Sequence, residues 1–392
     1  MRNAPLFLAL EYCKPHPTRH HRPMNQRDRF FAQMGSNPKV VVPNWEFGYW
    51  ETTLETWHQQ GLPSEINTTL KAYDYFGIEG FHFADGFYVH GHQCRLCPPF
   101  EERSLGIEDG IETFLDGDGV KFTKFAEGQS TIPHYLDYPI KDRADWEARY
   151  KRRLSPDAPG RFSNIDWATV KASFEKSGKP VCLFLDSYIG YLRNLMGFEA
   201  FSMLPYDDPE LLAEMVETLA QIKERIIDSI AGHIQVDMVH YWEDICYNAG
   251  PIIAPSAFEE IVVPRMKRVN DRLRNELGVK FISLDSDGNI LSLLDGWIAS
   301  GVNILMPCEV DSGMDINLLQ ERYVDRCGFH GGIQKKALIE GPEAIEKELQ
   351  RVLPAVRRGG YIPHLDHLCP ANVSLANYQF YLQSKRDILG CA

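Results

Sequence analysis

Short apolar runs recur along the chain, most of them separated by amphipathic stretches. Eight runs read as strands: Val40–Trp45, Gly80–Asp85, Val181–Asp186, Met238–Glu243, Lys280–Asp285, Asn303–Pro307, Cys327–His330 and Gly360–His364. Several are almost continuously apolar instead of alternating, which is how strands read when both faces of a parallel sheet are covered. Between them, Leu211, Leu212, Met215, Leu219, Ile222 and Ile226 fall at helical spacing from Pro209 to Ile230, with Asp207-Asp208 as the cap. Pro255 to Leu277, stopped by Gly278, and Pro342 to Arg358, stopped by Gly359-Gly360, repeat the pattern, and Ile66 to Phe76 is a shorter helix. The alternation predicts an α/β protein, a (β/α)8 TIM barrel. Residues 86–180 interrupt it after the second strand. Their turn signals, Asp116-Gly117-Asp118-Gly119 and Glu127-Gly128, predict an inserted flap or small subdomain over the barrel mouth. Residues 1–23, with His16, His20 and His21 and no periodicity, read as a flexible N-terminal arm, so the barrel domain is expected over 24–392.

Composition narrows the function classes. The 392 residues carry 41 Lys+Arg against 54 Asp+Glu, a net charge of −13, which argues against a protein that tracks nucleic-acid phosphates. No apolar run approaches the roughly 20 residues of a membrane span. Leu6 to Leu10 is cut short by Glu11 with no small-residue cleavage site behind it, a poor secretory signal. The nine cysteines lie scattered, which fits a reducing, cytoplasmic setting.

Barrel chemistry sits at the C-terminal ends of the strands, and here those ends are polar: Trp45-Glu46, Asp85, Asp186 with Tyr188, Glu243-Asp244, Asp285-Ser286-Asp287, Glu309, His330, and His364 with Asp366-His367. One acidic residue after a strand often only caps the next helix. Ionisable groups at nearly every strand end would converge on one cavity and need partners there. The run His90-Gly91-His92-Gln93-Cys94-Arg95-Leu96-Cys97 offers four zinc-type donors, but no second pair stands at finger spacing, and coincidence in a lid loop is the simpler reading.

From Met24 onward the chain resembles the uroporphyrinogen decarboxylase-like superfamily, which includes corrinoid-linked methyltransferases. The resemblance is carried by Pro43-Asn44-Trp45-Glu46-Phe47-Gly48-Tyr49-Trp50, Glu243-Asp244 with Gly250-Pro251 and Pro255, Ser286-Asp287-Gly288-Asn289-Ile290, and Gly359 to Pro363 running on to Asp366-His367 and Leu375-Ala376-Asn377-Tyr378. It implies an α/β barrel. The porphyrinogen-decarboxylating branch carries an early arginine motif, which Trp45 to Trp50 lacks, although Asp85 and His367 stand where that branch has an Asp and a His. The thiol-methylating branch carries a zinc-binding His-X-Cys and a late Cys. Here those positions read Asp285-Ser286-Asp287 and His367, so the soft thiolate site is absent.

What the resemblance implies is therefore a methyltransferase working with a corrinoid carried by a partner protein, acting on a small methylated substrate or a pterin. The alternatives are a decarboxylase of a small carboxylate, for which Lys335-Lys336 and Arg193 are the nearest cations, or a non-catalytic ligand-binding homologue. His367, Asp287, Glu243 and Asp85 are the expected catalytic residues. Trp45, Glu46, Tyr49, Tyr188, Asp244, His330, His364 and Asp366 are expected around the substrate. Asp285, Asp287 and His367 could hold a divalent metal such as zinc, with Glu243 as a fourth ligand. A homodimer stays open.

Overall fold

The computed structural model describes residues 24–35, 41–79, 94–126, 133–162, 165–323 and 325–392. Six of the expected strands form one parallel sheet in sequential order: β1 (Cys182–Phe184), β2 (Met238–Trp242), β3 (Phe281–Asp285), β4 (Ile304–Met306), β5 (Gly328–Ile333) and β6 (Tyr361–Leu365). The pairing is parallel throughout, with His240 beside Ser283 and Met306 beside Asp285. Parallel neighbours in sequence order, each reached through a helix, are the wall of an α/β barrel. Among the described residues the ladder is open between β1 and β6.

The first expected strand is not a ladder strand. Val42 and Tyr49 make only single parallel bridges, to Cys391 and Cys369, because Pro43 lacks an N–H and the chain bends away. The second, Gly80–Asp85, lies outside the described residues.

The helices follow their periodicity. α1 (Ile189–Met196) is short, and α2 (Pro209–Ile230) runs the predicted span, its Asp208 side chain accepting from the Leu211 N–H at 2.9 Å. α3 (Val263–Leu277) is preceded by a single π-turn at Phe258–Val262 and ends at left-handed Gly278. α4 (Pro342–Arg358) and α5 (Leu375–Leu389) complete the outer layer. The insertion contains a four-stranded antiparallel sheet, Arg103–Glu108, Ile111–Leu115, Lys121–Phe125 and His134–Asp137, and the Asp116–Gly119 turn falls where the sequence placed it. Among the described residues no helix is long and apolar enough to cross a membrane.

Strand alternation decides which strand-end residues face the barrel interior. Along β2, the Tyr241 hydroxyl reaches outward to donate to Asn270 of α3 at 2.8 Å, while His240 faces Ser283 of the neighbouring strand at 3.2 Å. With a period of two, Trp242 follows His240 on the same face, and Glu243 and Asp244 come after the strand ends.

Candidate active site

An open cleft of about 630 Å³ lies at the C-terminal ends of β2, β3 and β6. Its walls are Phe47, Trp50, Tyr73, Trp242, Leu70 and Leu368, and its polar groups include Asp244, Asp285, Asp287 and His367. No Lys or Arg lines it among the described residues.

His367 is fixed from three sides. Its Nε2 lies 3.2 Å from Asp287 Oδ2, its ring stacks on Trp50 at 5.8 Å between centroids, and Phe47 meets it edge-on at 5.6 Å. Burial works against its charged form, but the hydrogen bond and charge of Asp287 outweigh that, so its pKa is raised above the ordinary imidazole value. Asp287 is in turn held by its own backbone: its N–H donates to Asp244 Oδ1 at 3.1 Å, and the next N–H, of Gly288, donates to Glu309 Oε2 at 3.0 Å. Lys335 Nζ lies 3.3 Å from Glu309 Oε1 and neutralises that carboxylate.

Asp285 and Asp244 are raised as well, which for a carboxyl group favours the neutral form. Burial first, then the charges of Asp287, Asp244 and Glu309, raise Asp285 well above the usual carboxylate range, favouring its neutral form. Burial and Asp287 also raise Asp244, whose backbone is left-handed at φ 47°. A non-glycine residue in that region is strained and is found where a side chain must be aimed. The site thus offers a proton-bearing imidazole beside two carboxylic groups that resist ionisation.

The other expected site residues are placed elsewhere. Glu243 is fully buried, and its carboxylate accepts from the N–H groups of Tyr188 (2.8 Å), Ile189 (2.8 Å) and Gly190 (3.1 Å) and from Ser187 Oγ (2.9 Å). It anchors the N-terminus of α1 and is no part of the cleft. Gly190 is needed there, because a Cβ would come 2.0 Å from the Glu243 carbonyl oxygen. Replacing Glu243 by Ala is expected to cost about 3 kcal/mol or more in urea unfolding, since four buried donors lose their acceptor. A catalytic role would instead show as lost turnover at unchanged stability.

Trp45 and Tyr49 face the core, Trp45 stacked on Phe30 at 5.2 Å and Tyr49 hydrogen-bonded to the Tyr378 hydroxyl at 2.7 Å. Tyr188 is buried with the Lys223 ammonium 4.1 Å from its ring centre. Glu46 is buried in an ion pair with Lys385 at 2.7 Å. His330 packs edge-on to Trp45, and His364 stacks on Phe47, its burial lowering the pKa to about 3. Asp366 accepts from the backbone N–H groups of Val310 (3.1 Å) and Lys335 (2.9 Å), pinning two loops. Asp85, His90 and His92 lie outside the described residues. Among the described residues no three His, Cys, Asp or Glu side chains converge as metal ligands.

Sequence reasoning missed Phe47, Trp50, Tyr73 and Trp242 as walls. It also missed Arg95, which grips Asp186 through two hydrogen bonds at 2.6 and 3.0 Å and so withdraws that strand-end carboxylate.

Comparison with known proteins agrees with this architecture. The family model described as uroporphyrinogen decarboxylase (URO-D) matches residues 123–387, more than half of the chain. The protein belongs to the uroporphyrinogen decarboxylase family, and its fold is the α/β barrel. Among solved structures, a methyltransferase from Methanosarcina mazei is similar at 14% identity, covering 93% of this chain and 99% of that one, with a TM-score of 0.61. A B12-independent methionine synthase from Shewanella sp. W3-18-1 is matched at 13% identity over 89% and 97% of the two chains, with a TM-score of 0.46. At such identities the M. mazei structure speaks for the fold alone. No curated protein matches the chain.

Proposed function

We propose that this protein is a methyltransferase that moves a methyl group between a small methylated compound and a corrinoid carried by a separate protein. The observation that carries the reading is the His367–Asp287 pair set between Trp50 and Phe47, in a cleft that no Lys or Arg lines among the described residues. A porphyrinogen with many carboxylates would meet three aspartates there, a poor electrostatic match. A single small methylated group meets flat aromatic walls and an acid.

The carbon-directed nucleophile in such a reaction would come from the reduced corrinoid on its carrier protein. This chain's own residues hold the substrate and manage the proton. Breaking the bond between a methyl carbon and an oxygen leaves a poor anionic leaving group unless a proton arrives as the bond breaks. His367, kept protonated by Asp287 at Nε2, would donate that proton from its other ring nitrogen, Nδ1, to the departing heteroatom, and take it back in the reverse direction. Asp285 faces the same space as a hydrogen-bond donor in its neutral form. The aromatic walls give the methyl-bearing group an apolar surface to lie against.

The test is a spectral one. Full-length protein is mixed with cob(I)alamin and a panel of methyl ethers, quaternary amines and methyl-pterins, and formation of methylcobalamin is followed. Enzyme-dependent methylation with at least one donor class is the expected result, and silence across the panel counts against the reading. Release of carbon dioxide from a small carboxylate would instead favour the lyase alternative.

A further inference from the structure

A second, smaller hollow of about 220 Å³ adjoins the cleft, and Asp244 and Asp287 line both. Arg193, in the last turn of α1, lies on its wall beside Asn248 and Glu309. Its guanidinium rests 5.7 Å from the ring centre of Trp242, which itself lines the cleft, so the cation stands at the junction of the two spaces.

Two of the carboxylates around this hollow have cationic partners of their own. Asp287 is balanced by His367 at 3.2 Å, and Glu309 by Lys335 at 3.3 Å. Asp244 is held toward its neutral form by burial and by Asp287, with Arg193 acting against that shift. Arg193 has no carboxylate partner among the described residues, and its one side-chain acceptor is Asn194 Oδ1 at 3.1 Å. A guanidinium has five N–H donors, and the bond to Asn194 uses only one of them. With Asp287 and Glu309 paired elsewhere, Arg193 faces only Asp244 across the hollow, and burial and Asp287 bias that carboxyl toward its neutral form. A planar guanidinium with free donors at the wall of a cavity is suited to a carboxylate, which it can bind through two parallel hydrogen bonds.

We infer that this hollow is a carboxylate subsite, in which Arg193 grips the single acid group of a substrate whose methyl-bearing end lies in the aromatic cleft against His367. The inference rests on the methyl-transfer reading for what occupies the cleft. It names the substrate class as a small methylated monocarboxylate. A compound with several carboxylates finds one cation and three aspartates, so one acid group is accommodated and more are rejected.

The experiment compares two ligands of nearly equal shape, 4-methoxybenzoate and the uncharged 4-methoxybenzamide, by titration calorimetry with the full-length protein. The benzoate is expected to bind about 10- to 100-fold more tightly than the amide, the worth of a charge-assisted pair. Arg193→Met is expected to bring the ratio close to one while leaving amide binding in place, and Arg193→Lys to retain part of the preference. The lysine variant keeps the test alive if the methionine variant fails to fold. Equal binding of the two ligands by the unaltered protein, or a ratio that Arg193→Met leaves unchanged, overturns the subsite even if methylcobalamin forms in the spectral assay. Binding of neither ligand also overturns it. An Arg193-dependent preference without methyl transfer upholds the subsite and sinks the reading of the cleft.

Discussion

Changing His367 to Gln is expected to lower the rate of methyl transfer by about 10²- to 10⁴-fold, the usual worth of a positioned general acid, with substrate affinity little altered. The side chain is held by Asp287, Trp50 and Phe47, so glutamine fills much of the same space and loses chiefly the transferable proton. The pH dependence gives an independent readout. A general acid acts when protonated, and the folded pKa of His367 is raised above the ordinary 6.5. Activity should therefore persist through pH 6.5 and fall as pH rises through that higher value. Asp287→Asn removes the group that outweighs burial, so the falling limb should move to lower pH and the rate at neutral pH should drop. The same linkage gives the stability sign: the His367–Asp287 pairing stabilises the fold fully below pH 6.5, and the contribution is lost as pH rises through the folded pKa. A limb that stays in place in Asp287→Asn would count against His367 as the acid.

Lys385→Met is expected to destabilise the protein by about 3–5 kcal/mol, measured by urea unfolding, because it strands a buried carboxylate. Glu46 is 1% exposed and Lys385 wholly buried. Glu46 Oε1 accepts from Lys385 Nζ at 2.7 Å and from the Tyr381 hydroxyl at 2.8 Å, and Oε2 accepts from the Leu365 N–H at 3.3 Å. Lys385 also donates to the Trp45 carbonyl at 2.8 Å. Removing both charges together, as Glu46→Gln with Lys385→Met, should recover much of the loss, since the pair is costly to break and far less costly to replace. If the single substitution costs under about 1 kcal/mol, the pair behaves as a surface contact and the argument fails. The pair matters to the site because it ties the segment bearing Phe47 and Trp50 to α5.

The strands and long helices were legible because their signals are local. Pro209–Ile230 and Pro342–Arg358 announce themselves by cap, period and stop, and both fall where expected. The segment from Val40 to Trp45 has a strand's composition, but partner geometry decides pairing and only isolated bridges formed. At the site, His367, Asp287, Asp244 and Asp285 do meet in one cleft. Glu243 and Asp244 are consecutive, and which of them enters the cleft was not legible, because both lie past the end of β2, where Asp244 turns left-handed at φ 47°. Trp45, Tyr49 and Tyr188 could not have been sorted from Phe47 and Trp50 by composition, because large aromatic rings serve core and cleft alike. Nor could the chain alone reveal that Arg95 closes on Asp186, since the two stand 91 residues apart.

The Glu243 anchor has a consequence for discrimination by length. It bolts the start of the helix bearing Arg193 to the residue next to Asp244. On the proposed binding mode, Arg193 is thereby kept close to Asp244, and the span from the carboxylate subsite to the cleft has little room to lengthen for a longer guest. A homologue with one methylene inserted between its anionic head and its reactive end would have to buckle, and should be handled about 10- to 200-fold less well.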